Sequence, residues 1–255
     1  MNPIALSVQR KVQAGLKRRG YELRRVTLSH FDPPTAATIE AVAPYTLTSP
    51  ERVAATCEAV RYITRYGIPG AIVECGVWRG GNSLAAARTL LELDVTDRDL
   101  YLFDTFEGMT KPGDEDRDHD GNQAAEMIRA GVVDEDWCAA PLDDVRATLR
   151  TVAYPEGRIH LIPGRVEDTI PGKAPDQIAL LRLDTDWYES TRHELEHLID
   201  RLSDNGILII DDYGHWEGAR KAVDEWLATF DRPVFLARTD YTGRIATVGP
   251  APALS

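Results

Sequence analysis

The sequence predicts an α/β fold built on a seven-stranded, mostly parallel sheet with one antiparallel strand. From residue 71 onward, apolar runs alternate with amphipathic segments, which is typical of strand–helix units joined by right-handed crossovers. Two of these runs, over 178–184 and 206–211, end in aspartates, as expected where buried strands leave the sheet. The last two runs, over 233–238 and 244–248, are separated by a short polar turn and predict a terminal hairpin.

The N-terminal part of the chain has helix signals and no strand signal. Residues 1–25 contain seven Lys or Arg and a single acid, Glu22, with apolar residues spaced by four. This pattern predicts an amphipathic helix that packs on the body or on a second subunit, which we prefer to a helix lying on a membrane. We therefore expect a helical cap and oligomerisation segment over 1–69 and the main domain over 70–255.

Each element of this plan has a local signal. Ser49 followed by Pro50 predicts the start of a helix that runs to about Tyr66. A polar stretch over 111–122 begins like a calcium-binding loop, but its twelfth position is Met127 instead of a glutamate. We expect a mobile acidic loop that orders when substrate binds. The main domain is predicted to have strands over 71–76, 99–104, 158–162, 177–184, 206–211, 233–238 and 244–248, and helices over about 81–93, 141–153, 188–202 and 216–229.

Composition excludes several classes of function. The net charge of −12 and a pI near 5.0 argue against a general nucleic-acid binder, which needs a basic face. No apolar run approaches the ~20 residues of a membrane span, and the N-terminus lacks the apolar core of a signal peptide, so a cytoplasmic location without a membrane partner is expected. The three cysteines have no Cys-x-x-Cys spacing, which suggests neither a disulfide framework nor a zinc site.

Carboxylates cluster where two predicted strands end. Asp184 follows one buried strand, and Asp211 and Asp212 follow another. In open α/β sheets, ligands bind outside the carboxyl ends of the strands. If the two strands are neighbours, three carboxylates this close cannot all stay ionised unless a cation lies among them. The sequence therefore predicts a hard divalent metal ion.

A glycine-rich turn follows the first strand. Its spacing, Gly76-x-x-x-Gly80-Gly81, differs from the Gly-x-Gly-x-x-Gly of dinucleotide-binding enzymes. Glu74 just before it suits a cationic ligand, such as the amino-acid end of S-adenosylmethionine. Asp104, at the end of the second strand, can accept hydrogen bonds from ribose hydroxyls. Two structural alternatives stay open: Glu74 pairs with Arg79, or Asp104 only caps the next turn.

Four segments together resemble the macrocin O-methyltransferase family. They are Glu74-Cys-Gly-Val-Trp-Arg-Gly-Gly, Leu102-Phe-Asp-Thr-Phe-Glu-Gly-Met, Leu183-Asp-Thr-Asp-Trp-Tyr-Glu-Ser-Thr and Ile209-Ile-Asp-Asp-Tyr-Gly. Members of this family methylate sugar hydroxyls during the biosynthesis of natural products such as macrolides and aminocoumarins, and they depend on S-adenosylmethionine and Mg²⁺. The resemblance runs from about Tyr45 to Trp226. It departs at Asp184-Thr-Asp-Trp, where many relatives have Asp-Gly-Asp-Leu.

The resemblance implies a Rossmann-like class I methyltransferase fold, a sugar acceptor and a role for each motif residue. Asp184 is expected to be the general base, with Asp186 and His215 as further candidates, and a homo-oligomer is expected. The expected binding residues are Glu74, Gly76, Arg79, Ser83, Asp104, Gly164 and Val166 for S-adenosylmethionine, Asp184, Asp211 and Asp212 for Mg²⁺, and Tyr45, Trp187, Tyr188, His215 and Trp216 for the acceptor.

Other interpretations stay open at this point. The acceptor can be a catechol-like aromatic diol, since the same metal chemistry serves it. A nicotinamide-dependent oxidoreductase is disfavoured by the glycine spacing, and a binding protein that keeps the fold without catalysis is a further alternative. Asp186 can instead cap the helix that follows it. The sequence leaves open whether the sugar is nucleotide-activated or already attached to an aglycone.

Overall fold

The computed structural model describes residues 27–132 and 138–250, together with Val12 and residues 15–18. The chain forms two compact units, Met1–Asp32 and Pro33–Ser255. The sheet belongs to the second unit. Most of the basic helix predicted over 1–25 lies outside the described residues. Along the described part of the chain, no helix combines the length and the apolar character needed to cross a membrane.

Helices and strands alternate through the second unit. In chain order they are α1 (Pro33–Val42), α2 (Pro50–Arg65), β1 (Ala71–Cys75), α3 (Gly81–Glu92), β2 (Leu100–Asp104), α4 (Ala124–Arg129), α5 (Leu142–Leu149), β3 (Ile159–Pro163), α6 (Val166–Thr169), β4 (Ile178–Leu183), α7 (Tyr188–Leu198), β5 (Leu202–Ile210), α8 (Glu217–Thr229), β6 (Val234–Arg238) and β7 (Arg244–Val248).

The seven strands form one sheet in the order β3-β2-β1-β4-β5-β7-β6. The first five strands in this order pair in parallel, and β7 is antiparallel to both β5 and β6. The predicted fold class is therefore confirmed. The order of strands reverses between β1 and β4, so this is the point where a ligand crevice is expected.

The central strands are buried on both faces, as their unbroken apolar runs predict. All six residues of β4 and all five of β1 are buried. Leu195 and Leu198 of α7 and Val223 of α8 pack with side chains of these strands in one apolar cluster. This core holds the carboxyl ends of β1, β4 and β5 side by side.

Several predicted boundaries shift, and those around β5 have an identifiable reason. β5 begins at Leu202, four residues before the apolar run, because Leu202 pairs with Ile178 while Ile207 pairs with Leu180. The extra residues make an irregularity in which Asn205 has φ +62°. As a consequence the preceding helix ends at Leu198 instead of 202. In contrast, α2 begins as predicted, with the Ser49 hydroxyl accepting a hydrogen bond from the Arg52 N–H at 3.2 Å.

Candidate active site

A cavity lies at the carboxyl edge of the sheet, where the strand order reverses. Its walls come from the ends of β1, β4 and β5, from residues 45–48 before α2 and from the turn between β6 and β7. A second, smaller cavity adjoins it, and Gly76, Asp104 and Asp184 line both. Together they offer a two-part site.

Three carboxylates converge in the main cavity. Asp184, Asp186 and Asp212 each present an oxygen within 4.8 Å of the others. Burial raises the pKa of Asp186 to about 7, and burial together with the neighbouring acids holds the pKa values of Asp184 and Asp212 well above their usual range. Carboxylate oxygens are the ligands preferred by hard divalent cations. The donor set therefore fits Mg²⁺, which would relieve the repulsion among these groups.

Asp211, expected from the sequence as the third ligand, points elsewhere in this structure. One of its oxygens accepts a hydrogen bond from Arg182 Nη2 at 2.6 Å, and the other pairs with Arg52. Asp211 still lines the main cavity, but its oxygens are used by the two arginines, whereas Asp212 lies in the cluster. Asp186 takes the third position, because a backbone φ of +66° turns it towards Asp212.

Arg182 is the central cation of the site and was not identified from the sequence. It is 3% exposed, and its Nη1 lies 2.7 Å from Glu74 Oε1 and 2.7 Å from Asp184 Oδ2. Arg52 extends this set of ion pairs, because it contacts Asp211 and its Nε lies 3.1 Å from Asp240 Oδ2. An ion-pair network thus links β1, β4 and β5 to the start of α2. The available signal was a lone arginine in an apolar strand, which requires buried partners.

Glu74 is held by the protein on both oxygens. Arg182 donates to Oε1, and the Ser83 hydroxyl donates to Oε2. The alternative pairing with Arg79 is wrong: Arg79 donates to the Pro44 carbonyl at 3.2 Å and lies over the Tyr45 ring. Arg79 and Ser83 are also absent from the linings of both cavities. A carboxylate has about four acceptor positions, so Glu74, which lines the main cavity, retains capacity for a ligand.

The glycine-rich turn brings the backbone of β1 close to that of β4. Gly76 has φ +82°, and a Cβ there would overlap the Asp184 carbonyl oxygen. Glycine is therefore required where the first turn approaches the acidic cluster. Asp104 stabilises the same turn, because its Oδ2 accepts hydrogen bonds from the N–H groups of Val77 and Trp78, at 2.6 and 3.0 Å.

Asp104 also caps the turn that follows it. Its Oδ1 accepts a hydrogen bond from the Phe106 N–H at 2.7 Å. The structural alternative is thus present, although the side chain still lines both cavities. Gly164 and Val166, expected near the adenine, line the second cavity together with Phe103 and Met109. This smaller cavity has the apolar character that suits a flat aromatic base.

The residues expected at the acceptor divide into two groups. Tyr45, His215 and Trp216 line the main cavity. Trp187 and Tyr188 do not line either cavity. Trp187 is 2% exposed and packs edge-on against Trp216, with ring centroids 5.0 Å apart. The Tyr188 hydroxyl donates to Glu225 of α8 at 2.8 Å, because α7 turns its first residue towards that helix.

The acidic stretch over 111–122 packs against the site. Asp116 is 1% exposed, and its carboxylate accepts hydrogen bonds from the N–H groups of Gly113 and Tyr188. It therefore caps the start of α7 from another part of the chain, and Asp186 does not make this cap. The loop also brings the His119 ring to 5.1 Å from His215 and 6.0 Å from Tyr241. His119 and Tyr241 had no signal in the sequence, since only tertiary structure brings them together.

Comparison with known proteins gives a consistent result. The model of the TylF macrocin-O-methyltransferase family matches residues 10–245. The chain is 36% identical over 177 residues to an 8-demethyl-8-(2,3-dimethoxy-alpha-L-rhamnosyl)-tetracenomycin-C 4'-O-methyltransferase of Streptomyces olivaceus, covering 69% of this chain and 65% of that one. It is 33% identical over 162 residues to mycinamicin III 3''-O-methyltransferase of Micromonospora griseorubida, covering 64% and 62%.

The matched segments thus span less than two thirds of the length of these relatives. Among solved structures, the O-methyltransferase NovP is similar with a TM-score of 0.72 and 29% sequence identity, over 81% of this chain and 83% of that one.

Proposed function

Because the chain belongs to the TylF macrocin-O-methyltransferase family, we propose that it transfers a methyl group from S-adenosylmethionine to a deoxysugar hydroxyl of a natural product. We further propose that Mg²⁺ is held by Asp184, Asp186 and Asp212. The observation that carries this proposal is the convergence of these three carboxylates in a cavity that adjoins a second, more apolar one.

Charge in the main cavity supports two cationic ligands. Six carboxylates line it together with two arginines, and both arginines are already in ion pairs. The excess of negative charge favours a sulfonium cofactor and a divalent cation. The cofactor is proposed to occupy both cavities, with its amino-acid end near Glu74, its ribose near Asp104 and its adenine between Gly164 and Val166.

The same charges bear on the acceptor. Among the described residues that line the main cavity, the Lys and Arg side chains are Arg52 and Arg182 alone, and neither is free to bind a phosphate. A nucleotide diphosphate would bring its own negative charge against the acidic wall. A sugar already attached to an aglycone carries no such charge. This favours a glycosylated natural product over a nucleotide-activated sugar, in line with the names of the relatives.

The chemistry requires activation of a hydroxyl whose pKa is too high for attack at neutral pH. When bound, S-adenosylmethionine supplies the methyl group and Mg²⁺ lowers the pKa of the acceptor hydroxyl. The protein's part is to orient the acceptor and to accept its proton. We propose that Asp184 accepts the proton of the acceptor hydroxyl, because its side chain is 25% exposed and borders both cavities. The rings of His215, Trp216 and Tyr241 form an apolar wall beside it, against which the sugar can stack.

Titration calorimetry and a methyl-transfer assay test this proposal together. S-adenosylmethionine is titrated into the protein with Mg²⁺ and again with EDTA, and transfer is followed for an aglycone-linked rhamnoside, a nucleotide-linked rhamnose and a catechol. We expect cofactor binding in both conditions, and transfer only with Mg²⁺ and only to the glycoside. Transfer to the catechol instead would favour the aromatic alternative, and binding of NAD in its place would favour an oxidoreductase.

A pair of variants completes the experiment. Asp212→Asn should abolish transfer and retain cofactor binding, since it removes a charge from the acidic cluster. Asp120→Asn removes the same charge from an exposed position in the acidic loop, where the side chain is 75% exposed, and should retain transfer. Undiminished transfer in EDTA or in Asp212→Asn would contradict the metal role, and absence of cofactor binding would contradict the proposed function as a whole.

A further inference from the structure

The turn that carries two of the clustered acids is anchored by a buried glutamate. Asp184 and Asp186 face the main cavity, and between them the Thr185 hydroxyl donates a hydrogen bond to Glu194 Oε1 of α7 at 3.0 Å. This is a side-chain bond from the middle residue of the turn to a helix in the core. It lies at the position where the sequence departs from the Asp-Gly-Asp pattern.

Glu194 is an unusual group to bury. It has no solvent exposure. No N–H or O–H group of the described residues donates to its Oε2, and the Cys75 thiol is a further hydrogen-bonding neighbour of the carboxyl. Burial raises the pKa of Glu194 well above its usual range. A buried carboxyl with an oxygen that no N–H or O–H group reaches destabilises the fold. An apolar side chain would suit this place in α7 better on stability alone.

Other hydrogen bonds also hold the turn, among them one from the Ser190 hydroxyl to the Thr185 carbonyl at 3.3 Å. The Asp184 N–H donates to the Cys75 carbonyl at 2.8 Å, and the Trp187 N–H donates to the Thr185 carbonyl at 2.8 Å. Asp186 meanwhile has φ +66°, a conformation that is unfavourable for residues other than glycine and persists only when its surroundings hold it. The hydrogen bond from Thr185 to Glu194 restrains the backbone beside Asp186 from inside the core.

We propose that Glu194 is a positioning residue that acts through Thr185 to orient the carboxylates of Asp184 and Asp186 for a divalent cation. The inference rests on the proposed function only in that it requires this cation. Groups that orient metal ligands typically contribute 10–100-fold to metal affinity. Glu194 therefore lowers the stability of the fold and raises the affinity of the site for the cation, because it orients the ligands in advance.

Metal binding by isolated variants tests the proposal without any assay of turnover. Mn²⁺ is titrated into each protein and the bound fraction is followed by electron paramagnetic resonance, while stability is measured by urea unfolding in EDTA. We expect Thr185→Val and Glu194→Met to bind Mn²⁺ about tenfold or more weakly than the wild type. Thr185→Ser, which keeps the hydroxyl, and Glu194→Gln, which keeps a neutral acceptor, should bind as the wild type does.

The controls separate positioning from a general loss of structure. Thr89→Val removes another fully buried hydroxyl, one that donates to the Ala85 carbonyl at 2.8 Å in α3. It should change stability and leave Mn²⁺ affinity unchanged. Glu194→Met should be as stable as the wild type or more stable, although it binds metal more weakly. Wild-type affinity in Thr185→Val and Glu194→Met would overturn this inference alone, whereas no Mn²⁺ binding by the wild type would overturn the proposed metal role and this inference with it.

Discussion

At the scale of single residues, Arg182 explains how the active-site acids tolerate one another. It pairs with Glu74, Asp184 and Asp211 inside the protein. Burial of this guanidinium is offset by the three carboxylates, which together raise its pKa well above its usual value. The residue is thus charged at every pH at which the protein is folded. It neutralises part of the site permanently and leaves the remaining acids for ligands.

Removal of the Arg182 guanidinium should destabilise the protein strongly. We expect Arg182→Met to lower the free energy of unfolding by about 3–5 kcal/mol, because it leaves buried carboxylates without a partner. Urea unfolding at pH 7 in EDTA measures the effect. Arg192→Met breaks an ion pair of the same kind on the surface, where the side chain is 39% exposed, and should cost less than about 1 kcal/mol. Equal losses in the two variants would contradict the account of the network.

The sequence could indicate which acids gather at the edge, but not how each one points. Asp184 and Asp212 were expected at the metal and lie in the cluster. Asp211 pairs with arginines instead, and Asp186 replaces it. That exchange depends on the two arginines that reach Asp211 and on the positive φ of Asp186. Neither can be deduced from residue types, since any of the four aspartates has the chemistry of a metal ligand.

At the scale of elements, the acidic loop over 111–122 is part of the framework of the site. Asp116 caps α7, and the Glu217 N–H at the start of α8 donates to the Arg117 carbonyl at 2.8 Å. The loop therefore connects the starts of the two helices that follow β4 and β5. Its polar composition predicts a mobile loop, and in the structure the carboxylates of Asp116 and Asp118 accept hydrogen bonds from backbone N–H groups.

Loss of this cap should weaken α7. We expect Asp116→Ala to lower the free energy of unfolding by about 1–2 kcal/mol, since the N–H groups of Gly113 and Tyr188 lose their acceptor. Urea unfolding at pH 7 gives the value. Asp114→Ala removes an exposed acid from the same loop and should change stability by less than about 0.5 kcal/mol. A loss in Asp116→Ala as small as that of the control would refute the capping role.

Strand and helix types followed well from the sequence, whereas some ends did not. Long apolar runs and amphipathic helices give strong periodic signals, and all seven predicted strands are present. The start of β5 at Leu202 and the end of α5 at Leu149 are decided by pairing and packing with distant residues. Composition near a boundary carries little information about such partners.

At the scale of the whole molecule, the acidic cluster makes the protein less stable without its ligands than it could be. Asp184, Asp186 and Asp212 crowd together, with their pKa values raised by burial and by mutual repulsion. Any cation that binds the folded state alone shifts the unfolding equilibrium towards that state. Function and stability therefore oppose each other at this site.

Thermal unfolding with and without Mg²⁺ measures how much a bound cation stabilises the protein. We expect Mg²⁺ to raise the Tm of the wild type and EDTA to reverse the rise. Asp186→Asn should be more stable than the wild type in EDTA, by about 1 kcal/mol, because it removes one charge from the cluster, and Mg²⁺ should no longer raise its Tm. Asp231→Asn, at an exposed position after α8, should behave like the wild type. A Tm that does not respond to Mg²⁺ in the wild type would argue against a metal in the cluster.

The hydrogen bond between Ser49 and Asp240 indicates when the site can form during synthesis of the chain. The Ser49 hydroxyl donates to Asp240 at 2.7 Å across 191 residues of chain, and Arg52 takes Asp211 and Asp240 as partners. During synthesis, the start of α2 and the glycine-rich turn leave the ribosome long before the hairpin that completes their surroundings. Contacts this distant in sequence form late in folding. A nascent chain in which the hairpin of β6 and β7 has not yet been made thus contains the start of α2 and the glycine-rich turn without the residues that complete the cavity around them.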